Sequence, residues 1–435
     1  MAPPDDPTLE EALAYLDSHV NFETAPARRM APTLDRMLEL CRLLGDPQLD
    51  FPVIHVTGTN GKGSTTRMLS ALLGAHGLSV GTYTSPHLER VNERMAWNDE
   101  PIDDDTLTEV LLSMAPYEDH LGVRLTHFEV LTATALRWFA DNAVDVAVLE
   151  VGVGGRWDST NVADAAVAVV TNVGFDHAEI IGPTLVDIAT EKAGIIKPAA
   201  TVILGETSPE LVPIFEARPA LAVWHRYEEF GCERNVTALG GRLLDLRTPG
   251  GVSSDVFVPL HGPHQGDNAA CALAGAEAFF GRKIDDAVVA EAFGGVSVPG
   301  RFEVVHRRPF VVLDGAHNPD GARALALTLE EDFAGRVPDI VVVGFTVGRD
   351  PGELLDIIGV NKARLVLTCR PRSPRGIDAG VVAAAARQLG ANAEAAPDVR
   401  TAVERALELA TEDEFVLITG SLYVVGDART VLHHR

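Results

Sequence analysis

No apolar run in the sequence approaches the ~20 consecutive residues that a membrane-spanning helix needs. Cysteine is scarce: Cys41, Cys232, Cys271 and Cys369 lie far apart, with no CxxC pair and no histidine at ligand spacing. That scarcity argues against a disulfide framework or a zinc site and leaves reduced thiols as the expectation. Positive charge is in deficit, 36 Lys and Arg against 62 Asp and Glu, for a formal net charge of -26. Such a field opposes non-specific association with nucleic acid or anionic lipid, so neither is an expected partner. The opening residues, MAPPDDPTLEEALAYL, are acidic where a signal peptide is basic and then apolar; the expected location is the cytoplasm. No internal repeat or low-complexity tract stands out.

What is present is a globular chain of 435 residues, 46% hydrophobic and 23% charged, long enough for two or three domains. Two amphipathic helical patterns, roughly 9–20 and 33–44, come first. From Phe51 short Val- and Ile-rich runs alternate with helical patterns: PVIHV (52–56), LSVGTY (78–83), VDVAVLEV (144–151), AVAVVTNV (166–173) and ATVILG (200–205), the clearest helix spanning 126–142. This rhythm predicts a mostly parallel sheet covered by helices. Residues 234–260 read as hairpins, followed by helices over about 265–280 and 284–293. GGVSVPG (294–300) has linker chemistry, which predicts domains 1–296 and 297–435. Beyond it the alternation restarts through PFVVLDGA, DIVVVGF, ARLVLTC and EFVLITG, with helices from about 319 and near 379–389 and 400–410. The fold class is therefore α/β throughout, with a smaller C-terminal domain of Rossmann-like type.

PVIHV runs into Thr57-Gly58-Thr59-Asn60-Gly61-Lys62-Gly63-Ser64 and then the helical pattern STTRMLSALLGAHG. Strand, glycine loop and helix in that order present backbone N–H groups and a helix N-terminus to a phosphate, with Lys62 as a mobile cation. Ser64 stands where a hydroxyl usually holds magnesium. The strict P-loop pattern is broken, because Val56 replaces its first Gly and Gly63 follows the Lys.

TGTNGKGS is followed in order by TSPHLERVNER (84–94), LEVGVGGRWDSTN (149–161), DH (176–177), EKAGIIKP (191–198), HQGDNAA (264–270), PGRFE (299–303), DGAHNPDGA (314–322) and GSLYVVG (420–426). Over nearly its whole length the chain resembles the folylpolyglutamate synthase/dihydrofolate synthase family of the Mur ligase superfamily. The resemblance implies a P-loop ATPase domain followed by a glutamate-ligase domain. It implies ATP and Mg²⁺ as cofactors, dihydropteroate or reduced folates with L-glutamate as substrates, and ligation through an acyl phosphate. A monomer is expected.

The same resemblance gives roles to single residues. Thr59, Asn60, Gly61, Lys62, Gly63, Ser64, Asn268, Arg301 and Asp314 are implied ATP contacts, and Ser85, Glu150 and His177, with Ser64, the metal ligands. Glu150 ends an apolar strand, as a carboxylate ligand in an open α/β sheet does, yet alone it reads equally as a surface acid. His177 alone reads as a structural histidine. Lys192 reads blandly as one half of an exposed ion pair; in the family the lysine of this segment is carbamylated, which turns a cation into a metal-binding anion. Thr126, His127, Phe128, Glu129, Trp157, Asp158 and Ser159 match pterin contacts; Phe128 suits stacking or helix core alike. Gly152, Gly154 and Gly155 are not a dinucleotide fingerprint, since Arg156-Trp157-Asp158 follows them instead of a small-residue helix. Asn268 opens NAACALAGAEAF, where an N-cap needs no ligand. His317, with Arg94 and Ser421, is the implied holder of glutamate; Arg94 by itself reads as a surface arginine.

One departure is visible. After VVVGF the family usually carries a DKD-like segment, whereas this chain has Thr346-Val347-Gly348-Arg349-Asp350, and Lys-to-Arg is not neutral at a bidentate site. Three other readings stay open at this level: a Mur-type ligase for a non-folate carboxylate, a P-loop ATPase without ligase activity, and a non-catalytic metabolite-binding relative, against which the intact candidate ligands for ATP and metal argue.

Overall fold

The computed structural model describes residues 7–22 and 33–433. Its first sheet collects β1 (Val53–Thr57), β2 (Val80–Tyr83), β3 (Met95–Trp97), β4 (Glu100–Pro101), β5 (Val146–Glu150), β6 (Ala165–Val170), β7 (Thr201–Leu204) and β8 (Ala222–His225). Their order is β4-β3-β2-β5-β1-β6-β7-β8. From β2 to β8 all neighbours are parallel, while β3 and β4 close one edge antiparallel. Central strands such as β1 and β5 are buried at every position. Unbroken Val, Ile and Ala runs suit them because helices cover both faces. On one face Ile54, Val56, Val148 and Val169 pack against the helices Lys62–Ala75 and His264–Phe280. On the other, Val53, Ala147 and Leu149 meet the helix His127–Asp141.

β9 (Gly231–Ala238), β10 (Gly241–Thr248) and β11 (Gly251–Val258) form a separate antiparallel meander. The third sheet is built from β12 (Glu303–Arg307), β13 (Phe310–Leu313), β14 (Ile340–Val343), β15 (Leu365–Thr368), β16 (Ala393–Ala395) and β17 (Phe415–Thr419) in the order β12-β13-β17-β14-β15-β16. Only β12 runs antiparallel. The α/β class holds in both large sheets.

The chain departs from the sequence reading in a few places. The β3–β4 hairpin, the helices Asp104–Leu112 and Ala115–Leu121, and the strands β8, β12 and β16 were not expected; the strands have five residues or fewer and the helices nine or fewer, short for a periodic signal. The helix expected over 284–293 begins at Asp286, because the Asp285 carboxylate caps it by accepting the Ala287 N–H. All four cysteines are free. Among the described residues no helix is long and apolar enough to cross a membrane.

β1 is where the winding of the first sheet reverses: the chain moves from β1 to β2 on one side, and through β6, β7 and β8 on the other. Open α/β sheets gather ligands outside the strand carboxyl ends at such a point. The loops after β1, β5 and β6 therefore define where chemistry is to be sought.

Candidate active site

The loop after β1 is held from the side by the segment that follows β6. Asn172 accepts the Thr59 N–H on its carbonyl and the Asn60 N–H on Oδ1, each at 3.0 Å. The Asn60 carbonyl in turn accepts from Thr171 Oγ1 at 2.7 Å and Asn172 Nδ2 at 3.0 Å. Gly61 turns the chain into the helix at φ 81°, and a Cβ there would stand 2.2 Å from Asn268 Oδ1. Only glycine combines that left-handed backbone with so close an approach. The loop is thus preorganised, with the helix N-terminus that begins at Lys62 presented to an anion. Lys62 Nζ rests 3.2 Å from the carbonyls of both Gly58 and Thr59. Ser64 is buried in the first turn of the same helix. Thr171 and Asn172 were not among the residues singled out from the sequence; their only signal is their place at the end of a strand two short steps before Asp176-His177.

Glu150, the last residue of β5, is opposite Val56 in register and only 4% exposed. Its Oε2 accepts the Ser85 N–H at 3.2 Å and faces the Gly63 backbone, where a Cβ would lie 3.4 Å away. Burial pushes its carboxyl above the ordinary range, opposed by Lys62, the Ser85 N–H and Arg301. His177 follows Asp176 in a left-handed conformation at φ 51°. Its Nδ1 is buried without a hydrogen-bond partner, and burial lowers its imidazole to about 4, so the ring is neutral at physiological pH. A desolvated carboxylate, serine hydroxyls and a neutral imidazole with an idle nitrogen are the donor chemistry of a divalent cation. These residues fit such an ion.

Lys192 ends the helix Leu185–Lys192 and is 4% exposed, not a solvated surface lysine. Its Nζ donates to the Gly58 carbonyl at 2.7 Å. Burial, reinforced by nearby Lys62 and opposed by Asp176 and Asp158, lowers it to about 7.

The residues matched to a pterin site fall into two groups. Thr126 caps the helix His127–Asp141 in a reciprocal box with Glu129, whose other oxygen holds Arg36 at 2.9 Å. His127 is buried, and Phe128 lies over Gly152, where a Cβ would meet its ring at 2.7 Å. Gly152 is two residues beyond Glu150, and Phe128 has Tyr83 at a ring-centroid distance of 5.9 Å. In the second group the Asp158 carboxylate is taken up by its own loop, accepting from the Val153 and Thr160 amides at 3.0 and 3.1 Å. Ser159 is buried behind it, whereas Trp157 is 40% exposed under the Arg156 guanidinium.

Across the cleft, the Asp314 carboxylate at the end of β13 accepts the Phe302 and Ala316 amides at 2.9 Å each. This fixes the turn carrying Arg301, whose charge is felt at both Asp314 and Glu150. His317 donates from Nδ1 to the Gly315 carbonyl at 2.8 Å. Ser421 follows β17 and is buried, its Oγ accepting the Val424 N–H at 3.2 Å. Arg94, implied as a glutamate contact and by itself readable as a surface arginine, is 1% exposed and donates from Nε to His87 Nδ1 at 2.9 Å; its carbonyl accepts the Thr84 N–H beside Ser85. Asn268 does not open its helix, which starts at His264; it lies a turn inside, Nδ2 donating to Gln265 Oε1 at 2.9 Å. Its amide is therefore free of capping duty and stacked over the loop.

The sequence reading gave Asp176 no role of its own. Burial alone would raise its carboxyl, but His317, His177 and Arg349 hold it well below the usual range. Arg349, noted only as a departure from a pattern, contacts it at 2.5 Å.

Two family models match the chain: the Mur ligase middle domain over residues 56–276 and the Mur ligase glutamate ligase domain over residues 300–422. A Mycobacterium tuberculosis dihydrofolate synthase/folylpolyglutamate synthase is 38% identical, over 98% of this chain and 95% of that protein. Among solved structures, Mycobacterium tuberculosis folylpolyglutamate synthase complexed with ADP superposes with a TM-score of 0.89 at 36% identity, covering 98% of both chains. E. coli FolC in complex with DHPP and ADP does so with a TM-score of 0.86 at 29% identity, again over 98% of each. Sequence and architecture agree along nearly the full length, and the chain belongs to the Mur ligases, in their dihydrofolate synthase/folylpolyglutamate synthase family.

Proposed function

We infer that the chain is an ATP-dependent amide ligase that joins L-glutamate to dihydropteroate, to reduced folates or to both, through an acyl phosphate. The observation that carries the reading is the placement of Lys62, at the head of the helix that follows β1, beside Glu150, at the end of the neighbouring strand β5, with the charge of Arg301 felt at the same carboxylate. In the proposed reaction the loop amides and Lys62 hold the nucleotide's terminal phosphate while the substrate carboxylate attacks it in line. A C–O–P linkage forms and ADP leaves. Glutamate's amine then attacks the acyl carbon, inorganic phosphate departs and the amine loses a proton. Magnesium held by Glu150, His177, Ser85 and Ser64 would supply charge neutralisation between carboxylate and phosphate. Residues 1–296 and 297–435 would close on one another about the 294–300 linker, excluding water from a mixed anhydride that hydrolysis would waste.

The test is ADP release from ATP with glutamate, comparing dihydropteroate against tetrahydrofolate in one preparation. At least one should give ADP release that depends on glutamate. Release indifferent to glutamate with both would sink the reading.

Lys192 carries a further expectation. An amine lowered to about 7 is largely uncharged just above neutrality and is then a nucleophile toward carbon dioxide, its nitrogen bonding the carbon with loss of one proton. The sign follows from the direction of the shift: neutral amine grows as pH rises through about 7, where an ordinary lysine stays charged to about 10. With ¹³C-bicarbonate, a carbamate resonance should strengthen across that range and be missing from Lys192→Arg. A parent protein with no such signal would remove the carbamate from the mechanism.

A further inference from the structure

Asp176 stands on the first domain, where its Oδ1 accepts the neighbouring His177 N–H at 2.8 Å, and the other partners of its carboxylate come from the second domain. Arg349 Nη2 lies 2.5 Å from Oδ1, Asn318 Nδ2 donates to Oδ2 at 3.2 Å, and His317 Nε2 is 3.5 Å from Oδ2. These groups come from the loops after β13 and β14, two strands separated in the sheet by β17. Asn318 is fully buried and no part of its amide is idle. Oδ1 accepts the Gly321 N–H at 2.8 Å, capping the helix Pro319–Asp332, and faces Asn60 Nδ2 at 3.4 Å. Nδ2 donates to Asn60 Oδ1 at 3.0 Å as well as to Asp176. Asn60 belongs to the phosphate loop, and its own N–H is fixed by Asn172 Oδ1.

A pair of side-chain amides facing head to tail tolerates one relative orientation. A small shift of the loop at Asn60 breaks both contacts and leaves buried donors and acceptors unmatched, which burial makes unfavourable. The residue that receives this strain is the cap of a helix, and the residue immediately before the cap is His317. Elsewhere between the domains, Arg429 pairs with Glu89 at 2.5 Å and Arg375 with Glu179 at 3.3 Å, and neither touches the loop. The Asn60–Asn318–Asp176–Arg349 chain connects the nucleotide's cradle to a residue matched to the glutamate site.

We propose that Asn318, Asp176 and Arg349 are positioning residues that couple the state of the phosphate loop to the seating of the second domain, so that His317 reaches its working place only over a loaded loop. The proposal rests on the ligase reading above. Its consequence is that glutamate is captured well only once nucleotide is in place, which protects the acyl phosphate.

The test uses the full chain and three variants. Asn318→Asp keeps an equally good N-cap while removing the amide donor and setting a second carboxylate against Asp176. Arg349→Met removes the ion pair, and Arg349→Lys restores its charge. Melting temperature confirms folding, ADP with Mg²⁺ is the nucleotide probe, and small-angle scattering reads compaction. Asn318→Asp and Arg349→Met should bind ADP within about threefold of the parent. Their KM for glutamate should rise about tenfold or more, the range of ordinary coupling energies, and the compaction caused by ADP should be lost. Arg349→Lys should recover part of both. The proposal falls if glutamate KM stays within about threefold in both variants, or if ADP affinity and glutamate KM worsen in parallel. A parent that compacts on ADP but shows no glutamate-dependent turnover defeats the ligase reading and leaves the coupling standing; a parent that turns over without compacting does the reverse.

Discussion

Lys62→Ala should lose about 10²–10³-fold or more of its glutamate-dependent ADP release while its melting temperature stays within about 3 °C of the parent. The two halves of that result have separate origins. The ammonium is parked over two carbonyls, Gly58 and Thr59, and not on a carboxylate. It is therefore held by weak contacts that a terminal phosphate can replace without an ion pair first being broken. Its charge also reaches Glu150, His177 and Lys192, so its removal alters the field where the transferred phosphoryl group develops charge. The loop, by contrast, takes its shape from Thr171, Asn172 and Gly61, none of which needs the lysine. Turnover within threefold of the parent would mean that the phosphate lies somewhere else.

Glu150→Gln is expected to move activity and stability in opposite directions. Glutamine still accepts the Ser85 N–H, so the local geometry survives, but it cannot offer an anion to a metal. Turnover should fall about 10²-fold or more and should not be recovered by the Mg²⁺ concentration that saturates the parent. Stability follows from the raised carboxyl. An acid whose folded pKa lies above its unfolded value adds to stability below the unfolded value, and that contribution is lost as pH rises through the folded value. At about pH 7 the metal-free parent is therefore penalised for ionising Glu150, and Gln removes the penalty. The metal-free variant should melt higher than the parent at about pH 7, with the gap closing at about pH 4 where both states carry the protonated acid. Added Mg²⁺ should raise the parent's melting temperature and leave the variant's unchanged. A variant that melts lower at neutral pH and keeps its Mg²⁺ response would show that Glu150 is structural.

Much of the architecture was legible because burial on both faces of a parallel sheet leaves an unmistakable trace. Runs such as VDVAVLEV and DIVVVGF cannot be mistaken for half-exposed strands, and β5 and β14 lie inside them. The pieces that escaped are edge or short elements. β8 sits at the end of its sheet with its residues only partly buried, and β4 is two exposed residues; neither has a face that burial would force to be apolar. For Arg94 the sequence left a surface arginine open beside the implied glutamate contact, and the packing of residues 84–95 around Glu93 and His87 puts it at 1% exposure. Asn268 was misplaced because the cap of its helix is set by the chain's entry at His264, four residues earlier.

By itself the sequence determined the phosphate loop, since strand, glycine turn, lysine and helix are contiguous and their mutual geometry is set by local backbone rules. It likewise determined the two α/β halves and the identity of Glu150 as a strand-end acid, because position along a strand is a one-dimensional fact. What only the tertiary structure decided are relations between residues remote in the chain. Asn172 locks Asn60 from 112 positions away, Lys192 is neutral-leaning because other elements bury it beside Lys62, and Asp176 becomes the meeting point of Arg349, Asn318 and His317. Desolvation and convergence are properties of three-dimensional surroundings. No residue carries them in its own name or in its neighbours along the chain.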